Sequence, residues 1–395
     1  MLKSNVGLSI NNDFFTMGQE AAKQSTLNMT NVKCNFLFTS EKSDIKKIVE
    51  GVHNVTSSPI IGCTSSDGII VPSGYISGEN AYAGLLSLED PNMKVGVSCQ
   101  EAGKNPRIIG RKVAIEAVKN ANSSRSPAYF CMIATPKDEE EYLMGIQDVI
   151  GRVPMFGGSA ADDNIKHQWK IICNDQIINE GVAVAFFYTD NEINTIFTGA
   201  YRETNNMGLI TKVKNNRTLV TIDGISSLKK YAHWINVSPN TLKGNNLLYS
   251  SILKPLAIKD PLGNITVIRH PMFGDDMGTK TTTDDTITLD NKVVEKTAII
   301  QCEITKQGLI NSSGDTLKEL RRKTYREPSA YILFFDAGRK IGIGKDIGEV
   351  HKQLVKEAKG VPFICIFSFG EYGYNEHSSN ICGGLMLSFT EFSQN

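Results

Sequence analysis

Residues 154–163, PMFGGSAADD, set two glycines, a serine and two aspartates behind an apolar pair. Four chemistries use such residues: a nucleophilic serine, a phosphate cradle, a cation site, or a polar turn that lines a pocket. Gly157-Gly158-Ser159-Ala160-Ala161 falls one residue short of G-x-S-x-G, an elbow that needs its serine on a strand-to-helix turn. Here Asp162 and Asp163 lead through WKIICN and a turn into EGVAVAFFY, strand to hairpin. His351 and His377 lie downstream as bases, but nothing local positions either. A phosphate cradle wants backbone N–H groups and cations at a helix start, and two aspartates repel the anion. The stretch Gly342-Ile-Gly344-Lys-Asp-Ile-Gly348 misses both phosphate-loop spacings and reads as a loop entering a helix. Paired aspartates suit Mg²⁺ or Ca²⁺, yet the sequence has no EF-hand spacing, H-E-x-x-H or C-x-x-C, and its six histidines are dispersed. No metal is expected. What remains is a hydrogen-bonding turn, either the wall of a pocket or a purely structural feature.

The elements that must position this turn recur three times. FFTMGQEAAKQSTL, CNFLFTS, SDIKKIVEGVHN and PIIGCTSSDGII read as helix, strand, helix and a proline-led strand. RIIGRKVAIEAVKNA, AYFCMIATP, EEEYLMGIQDVIG and PMFGGSAADD repeat that order, as do GDTLKELRRKTY, AYILFFDAG, DIGEVHKQLVKEAK and PFICIFSFGEYG. The alternation of helical period with short β-rich runs is the pattern of α/β units. Each proline-led strand ends in small residues and an acid, Asp67, Asp162 or Glu371, and each unit closes with an apolar strand: AYAGLLSL, EGVAVAFFY and ICGGLMLSF.

Between the second and third units the texture changes. INTIFTGAY and TKVKNNRTLVTIDG read as strands with turns at NNRT and DG, and ISSLKKYAHWI as a helix. LLYSSILKPLAI, NITVIRHPMF, DTITLDN and KTAIIQCEI read as antiparallel strands with turns at PLGN and LDNK. The expected fold is mixed α/β: repeated strand–helix–strand units with a β-rich antiparallel insert in a two-domain chain. Its domains are residues 1–200 and 201–395, the insert about 201–305 and the α/β return about 306–395.

The 395 residues are 41 % hydrophobic and 21 % charged, enough to bury a sizeable interior. Forty-two basic and forty-two acidic side chains cancel, which gives no support to nucleic acid or an anionic membrane as partner. No apolar run approaches the ~20 residues of a membrane span. The start lacks a signal-peptide core, and the eight cysteines sit in apolar runs such as AYFCMIA and PFICIF, like reduced thiols. The expected location is the cytoplasm.

Laid along the chain, NNDFFTMGQEAAK, PIIGCTSSDGII, MFGGSAADD, NMGLITKVKNNRTLVTIDGISSLKKY, KDPLGNITVIRHPMF, FFDAGRKIGIG and FSFGEYGYNEHSSN follow one another in an order that resembles the FIST (F-box and intracellular signal transduction) family over nearly the whole length. The resemblance implies N- and C-terminal FIST domains and a non-enzymatic sensor of a small molecule such as an amino acid. It also implies a separate signalling partner: a histidine kinase, a cyclic-dinucleotide enzyme or a chemoreceptor. Where the family usually has Cys-x-Gly-Arg, this chain has Asp336-Ala-Gly338-Arg339, and Arg269 matches the family's arginine in the insert. One branch, the NosP proteins, is similar in length and implies haem-based nitric oxide sensing, for which His167 or His270, or Cys63 or Cys365, would supply an axial ligand.

The expected ligand-binding residues are therefore the turn residues Gly62, Cys63, Thr64, Ser65, Asp67, Gly157, Gly158, Ser159, Asp162, Phe369, Gly370 and Glu371, with Arg269 and Arg339. The glycines allow close backbone approach and Ser159 offers a hydroxyl. Asp162 would accept from a ligand amine and Arg339 would hold a carboxylate in bidentate fashion, with Glu371 balancing or fixing the arginine.

Overall fold

A computed structural model describes residues 1–260, 265–274, 285–376 and 379–394. The expected turn at PLGN and His377 lie outside the described residues. The first unit runs β1 (Lys3–Ser9), α1 (Phe14–Ser25), β2 (Val32–Thr39), α2 (Ile45–His53), β3 (Ile60–Thr64), the hairpin β4 (Gly68–Val71) and β5 (Gly74–Ser77), and β6 (Ala83–Glu89). The second runs β7 (Lys94–Glu101), α3 (Pro106–Ala121), β8 (Tyr129–Ala134), α4 (Glu139–Ile150), β9 (Met155–Ser159), the hairpin β10 (Ile171–Cys173) and β11 (Gln176–Ile178), and β12 (Gly181–Tyr188). A third starts at β13 (Ile193–Thr198) and is interrupted by β14 (Arg202–Lys214), β15 (Thr218–Ile222), β16 (Ile225–Ser226), α5 (Ser227–Trp234), α6 (Asn246–Ser251), β17 (Leu256–Lys259), β18 (Thr266–Arg269), β19 (Pro271–Phe273), β20 (Ile287–Leu289) and β21 (Ala298–Glu303). It resumes with α7 (Lys306–Lys323), β22 (Pro328–Asp336), α8 (Ala337–Ile343), α9 (Ile347–Ala358), β23 (Phe363–Ser368), the hairpin β24 (Glu371–Tyr374) and β25 (Asn380–Gly383), and β26 (Leu387–Ser393). The chain is mixed α/β, as its alternating pattern predicts.

Local chemistry starts the helices where expected. Asp13, Asp44, Asn105 and Thr305 each accept a backbone N–H three residues on, satisfying an orphan donor of the first turn. Asn105 is followed by Pro106, whose fixed φ suits the first helical position. The pairs α1–α2 and α3–α4 cross at glycines: a Cβ on Gly18 would lie 2.1 Å from Ile48 O, and one on Gly110 2.2 Å from Tyr142 O.

One helix links the parallel strands β2–β3 and β8–β9, α8 and α9 together link β22–β23, and in each unit the closing strand pairs antiparallel with the first of them. The hairpins, however, are exchanged. The sheet order is β1-β6-β2-β3-β10-β11 in the first unit, β7-β12-β8-β9-β24-β25 in the second and β13-β26-β22-β23-β4-β5 in the third. The second unit thus lends its hairpin to the first, the third to the second, and the first to the third. The exchange closes a pseudo-threefold ring and interlocks the N- and C-terminal halves.

The ring surrounds one apolar core. Phe36 of the first unit, Phe156 of the second and Phe392 of the third are fully buried and touch pairwise, with centroids 5.8 to 6.3 Å apart. Each such ring contributes ~1.5–3 kcal/mol on burial, and their contact joins the three sheets.

The insert is largely antiparallel, and the NNRT and DG turns appear with Asn215, Asn216, Asp223 and Gly224 all at positive φ. Three local expectations need correction. LLYSS is not a strand but α6, because Leu247, Leu248 and Ser251 lie on one helical face that the insert core buries. Gly342 lies inside α8 rather than in a loop, and Gly344, at φ +63°, is the residue that ends it. ICGG belongs to the lent hairpin, and the third unit closes on β26 alone.

Candidate functional site

The three proline-led strands converge, and their turns are stitched into a ring. Ala161 N–H donates to Thr64 O at 3.1 Å, Phe369 N–H to Ser159 O at 3.2 Å, and Ser66 N–H to Phe367 O at 3.0 Å. Each donor lies seven residues beyond its unit's proline (59, 154 or 362), and each acceptor five. By this register the counterpart of Asp67 and Asp162 is Gly370, while Glu371 corresponds to Gly68 and Asp163.

Most of the sequence-derived candidates are spent within this ring. A Cβ on Gly62 would stand 1.7 Å from Leu37 O, and one on Gly157 1.9 Å from Met132 O, so these glycines admit a neighbouring strand. Gly158 faces Phe334 and Gly370 O. The Cys63 thiol is buried among strands, which pushes its pKa up. Thr64 Oγ1 accepts from Lys170 N–H at 3.0 Å, and Ser65 Oγ donates to Gly68 O at 2.6 Å while accepting from Phe367 N–H at 2.9 Å. Ser159 is fully buried, with its hydroxyl 2.6 Å from Tyr372 OH and its N–H on Gly370 O. Asp162 is buried too: its Oδ2 accepts from Lys166 and Gln168 N–H, while Oδ1 has no partner. The Phe369 ring packs edge-on to Trp169.

The candidate arginines are internal. Arg339, 0 % exposed, donates through Nη1 to Gly199 O at 2.6 Å and Leu385 O at 2.9 Å, and through Nη2 to Ser312 Oγ at 2.6 Å. Its guanidinium lies over the rings of Tyr201 and Phe335. Glu371 binds Ser368 Oγ at 2.7 Å and Met386 N–H at 2.9 Å, and burial together with nearby Asp336 raises its pKa well above the carboxylate range. Asp336, which stands where the family usually has cysteine, caps α8 by accepting from Gly338 and Arg339 N–H, and burial lifts its pKa to about 6. Arg269 donates to the carbonyls of Lys292, Ile268 and Cys382.

Where the first two turns and α8 meet solvent there is a cleft of about 690 Å³. The first unit supplies Ser66, Asp67 and Tyr75, the second Asp163 and Asn164, and the third Lys340 and Ile341 of α8. Asp67, at φ +49°, turns its carboxylate to the cleft and pairs with Lys340, whose ammonium also donates to Asp67 O at 2.7 Å. That ammonium lies 5.4 Å from the centre of the Tyr75 ring and 4.9 Å from that of Phe367, an arrangement that favours a cation. Burial lowers the Lys340 pKa, and the Asp67 contact opposes that shift. A second pair, Lys42–Asp163 at 3.2 Å, stands beside the first, Glu79 and Lys345 also line the cleft, and Asp163 Oδ1 accepts from Asp67 N–H. Among the sequence-derived candidates lining this cleft is Asp67 alone. Lys340, Tyr75, Lys42 and Asp163 were not among them. Neighbouring helical residues point about 100° apart, and only the packing of α8 shows that Arg339 turns inward while Lys340 reaches the first unit's turn.

With this geometry in view, the chain matches the FIST N domain over residues 34–225 and the FIST C domain over residues 227–374. It belongs to the FIST family. FIST domains are sensory, which gives the chain a signal-sensing role. No curated protein matches its sequence. Among solved structures, a cyanuric acid hydrolase from A. caulinodans aligns over 100 % of both chains at 7 % identity and a TM-score of 0.35. A second cyanuric acid hydrolase aligns at 8 % and 0.31, again over 100 % of both chains. PurLQS from Thermotoga maritima aligns at 9 % and 0.22, over 100 % of this chain and 73 % of that one. Likenesses at these scores carry no argument.

The NosP branch of the FIST family poses a further fit. His270 is buried with Nε2 3.1 Å from Leu248 O, and burial lowers its pKa to about 4. His167 stands on an exposed turn with its ring against Trp169. An axial ligand needs a ring nitrogen facing an apolar chamber; His270 Nε2 is taken by Leu248 O and His167 stands at the surface. Among the described residues no three His, Cys, Asp or Glu side chains converge as a metal site, and no helix is long and apolar enough to cross a membrane.

Proposed function

We propose that this FIST protein is a non-enzymatic sensor whose cleft takes a small zwitterionic metabolite of the amino-acid type. The observation that carries this reading is the cleft itself, drawn from all three units and both halves, with Lys340 paired to Asp67 and Lys42 to Asp163. Its volume lies in the range of small-molecule sites. A ligand carboxylate would compete for Lys340 and a ligand ammonium for Asp67, so binding would trade the internal ion pair for two external ones. Because Asp67 belongs to the hairpin lent to the third unit, such a ligand would bias how the halves sit on each other.

A binding role agrees with the state of the nearest nucleophile: Ser159 is closed off from solvent and held by Tyr372. The output would pass to a partner protein, a histidine kinase, a cyclic-dinucleotide enzyme or a chemoreceptor, in a cytoplasmic setting. The test is a thermal-shift screen of amino acids and related metabolites on the wild type and on Asp67→Ala and Lys340→Met. Stabilisation by a specific metabolite, lost in both variants, supports the reading. Absorbance after haem reconstitution separates the other branch, where a Soret band would replace this account.

A further inference from the structure

Of the eight cysteines, six are walled in: Cys34, Cys63, Cys131, Cys302, Cys365 and Cys382 are at most 2 % exposed. Cys99 is the most exposed at 8 %, on the edge strand β7, and its partner in space is Cys173 at the tip of the lent hairpin. Strand β10 lies against β7 across the gap between two sheets, and Cys173 stands directly opposite Gln176 in its hairpin's register. The Cys99 thiol also lies 3.1 Å from Gln176 Oε1, on the next strand of the same hairpin.

We propose that Cys99 and Cys173 form a redox pair that a peroxide closes into a disulfide. The Cys99 thiolate attacks a peroxide oxygen and the O–O bond breaks. Cys99 becomes a sulfenic acid and the leaving oxygen departs, with a proton, as water or an alcohol. The Cys173 sulfur then attacks the Cys99 sulfur, the S–O bond breaks, and a second water leaves with the thiol proton. Two thiols are oxidised by two electrons, one peroxide is reduced, and a dithiol reverses the change.

The roles follow from the surroundings. The hydrogen bond from Cys173 lowers the Cys99 pKa, whereas that same bond and burial raise the pKa of Cys173. Cys99, the more exposed of the two at 8 % against 3 %, is the attacking thiol and Cys173 the resolving one. The bond would tie the hairpin, which pairs with β3 of the first unit, to the second unit's own edge strand. Upstream of that hairpin lie Asp163 and Asn164, so on the cleft reading above oxidation also fixes one cleft wall.

The full-length protein should be exposed to one equivalent of hydrogen peroxide, alkylated with iodoacetamide under denaturing conditions, and mapped by mass spectrometry. The expected result is loss of two alkylatable thiols out of eight, a peptide bridged through Cys99 and Cys173, and recovery of both thiols with dithiothreitol. In Cys173→Ser, whose hydroxyl keeps the site filled, dimedone should label Cys99 as a trapped sulfenic acid. Eight free thiols after peroxide, a bridge between other cysteines, or no dimedone label on Cys99 would overturn the proposal. The readout needs no ligand, so its outcome is separate from that of the metabolite screen.

Discussion

Replacement of Arg339 separates a ligand-binding arginine from a structural one. Its guanidinium makes three hydrogen bonds, to Gly199 O, Leu385 O and Ser312 Oγ, in a site with no solvent exposure. Hydrogen bonds from a charged donor contribute about 1.5–3 kcal/mol each. Arg339→Ala would leave those acceptors bare and take the neighbouring cation from Asp336 and Glu371, a loss of at least about 5 kcal/mol, comparable to the whole stability of many domains. That variant should not accumulate as folded protein. Arg339→Lys keeps the charge but replaces the planar fork by a point donor that reaches one or two of the three acceptors. Its expected cost is about 2–4 kcal/mol, read from urea unfolding followed by tryptophan fluorescence. An Arg339→Ala protein that unfolds within about 1 kcal/mol of wild type would refute the reasoning and return Arg339 to the list of ligand contacts.

Stability should fall as pH rises from about 6.5 to 8 because burial raises the pKa of Asp290 to about 8, so the folded state binds more protons there than the unfolded chain. His270 acts oppositely but only below its ordinary value, as its folded pKa of about 4 makes stability fall with acid. Asp290→Asn, which keeps the acceptor for His270 and Asn291 N–H, should reduce the slope above pH 6.5, and an unchanged slope would contradict the assignment. Gly62→Ala should abolish soluble expression, since its Cβ would enter Leu37 O, whereas Gly348→Ala, exposed with nothing within 4 Å, should stabilise by about 0.5 kcal/mol; equal expression and stability of both would be the failure. Ser159→Ala should cost about 1–3 kcal/mol by stranding Tyr372 OH, and the wild type should resist serine-directed phosphonates, so stoichiometric labelling of Ser159 would reinstate the nucleophilic-serine reading.

The repeat was legible because local signals carry it: helical period, β-branched runs, and a proline opening the second parallel strand of each unit. The insert's hairpins were legible at Asn215-Asn216 and Asp223-Gly224 for the same reason, since those residues tolerate the positive φ they adopt. The hairpin exchange was not, because β4, β10 and β24 pair with strands of another unit and no local pattern encodes a partner so far away in sequence. That exchange decides the site. It brings Asp67 to Lys340 across more than half the chain. It also turns the small residues of PMFGGSAADD into a packed joint, where Gly157 admits a strand and Ser159 a tyrosine. The acids at the turns looked alike by composition, with Glu371 one step later in spacing, yet Asp162 and Glu371 are buried and of the three Asp67 alone reaches the cleft.

The central claim is that the cleft at Asp67 and Lys340 binds a small zwitterion. The most direct measurement is the midpoint of thermal unfolding against metabolite concentration for the wild type, Asp67→Ala and Lys340→Met. The account predicts a concentration-dependent rise for a specific amino-acid-like compound in the wild type, reaching about 2.7 kcal/mol of stabilisation at a hundred times its Kd, and no rise in either variant. A wild type that no such compound stabilises, or a rise retained in both variants, would contradict it.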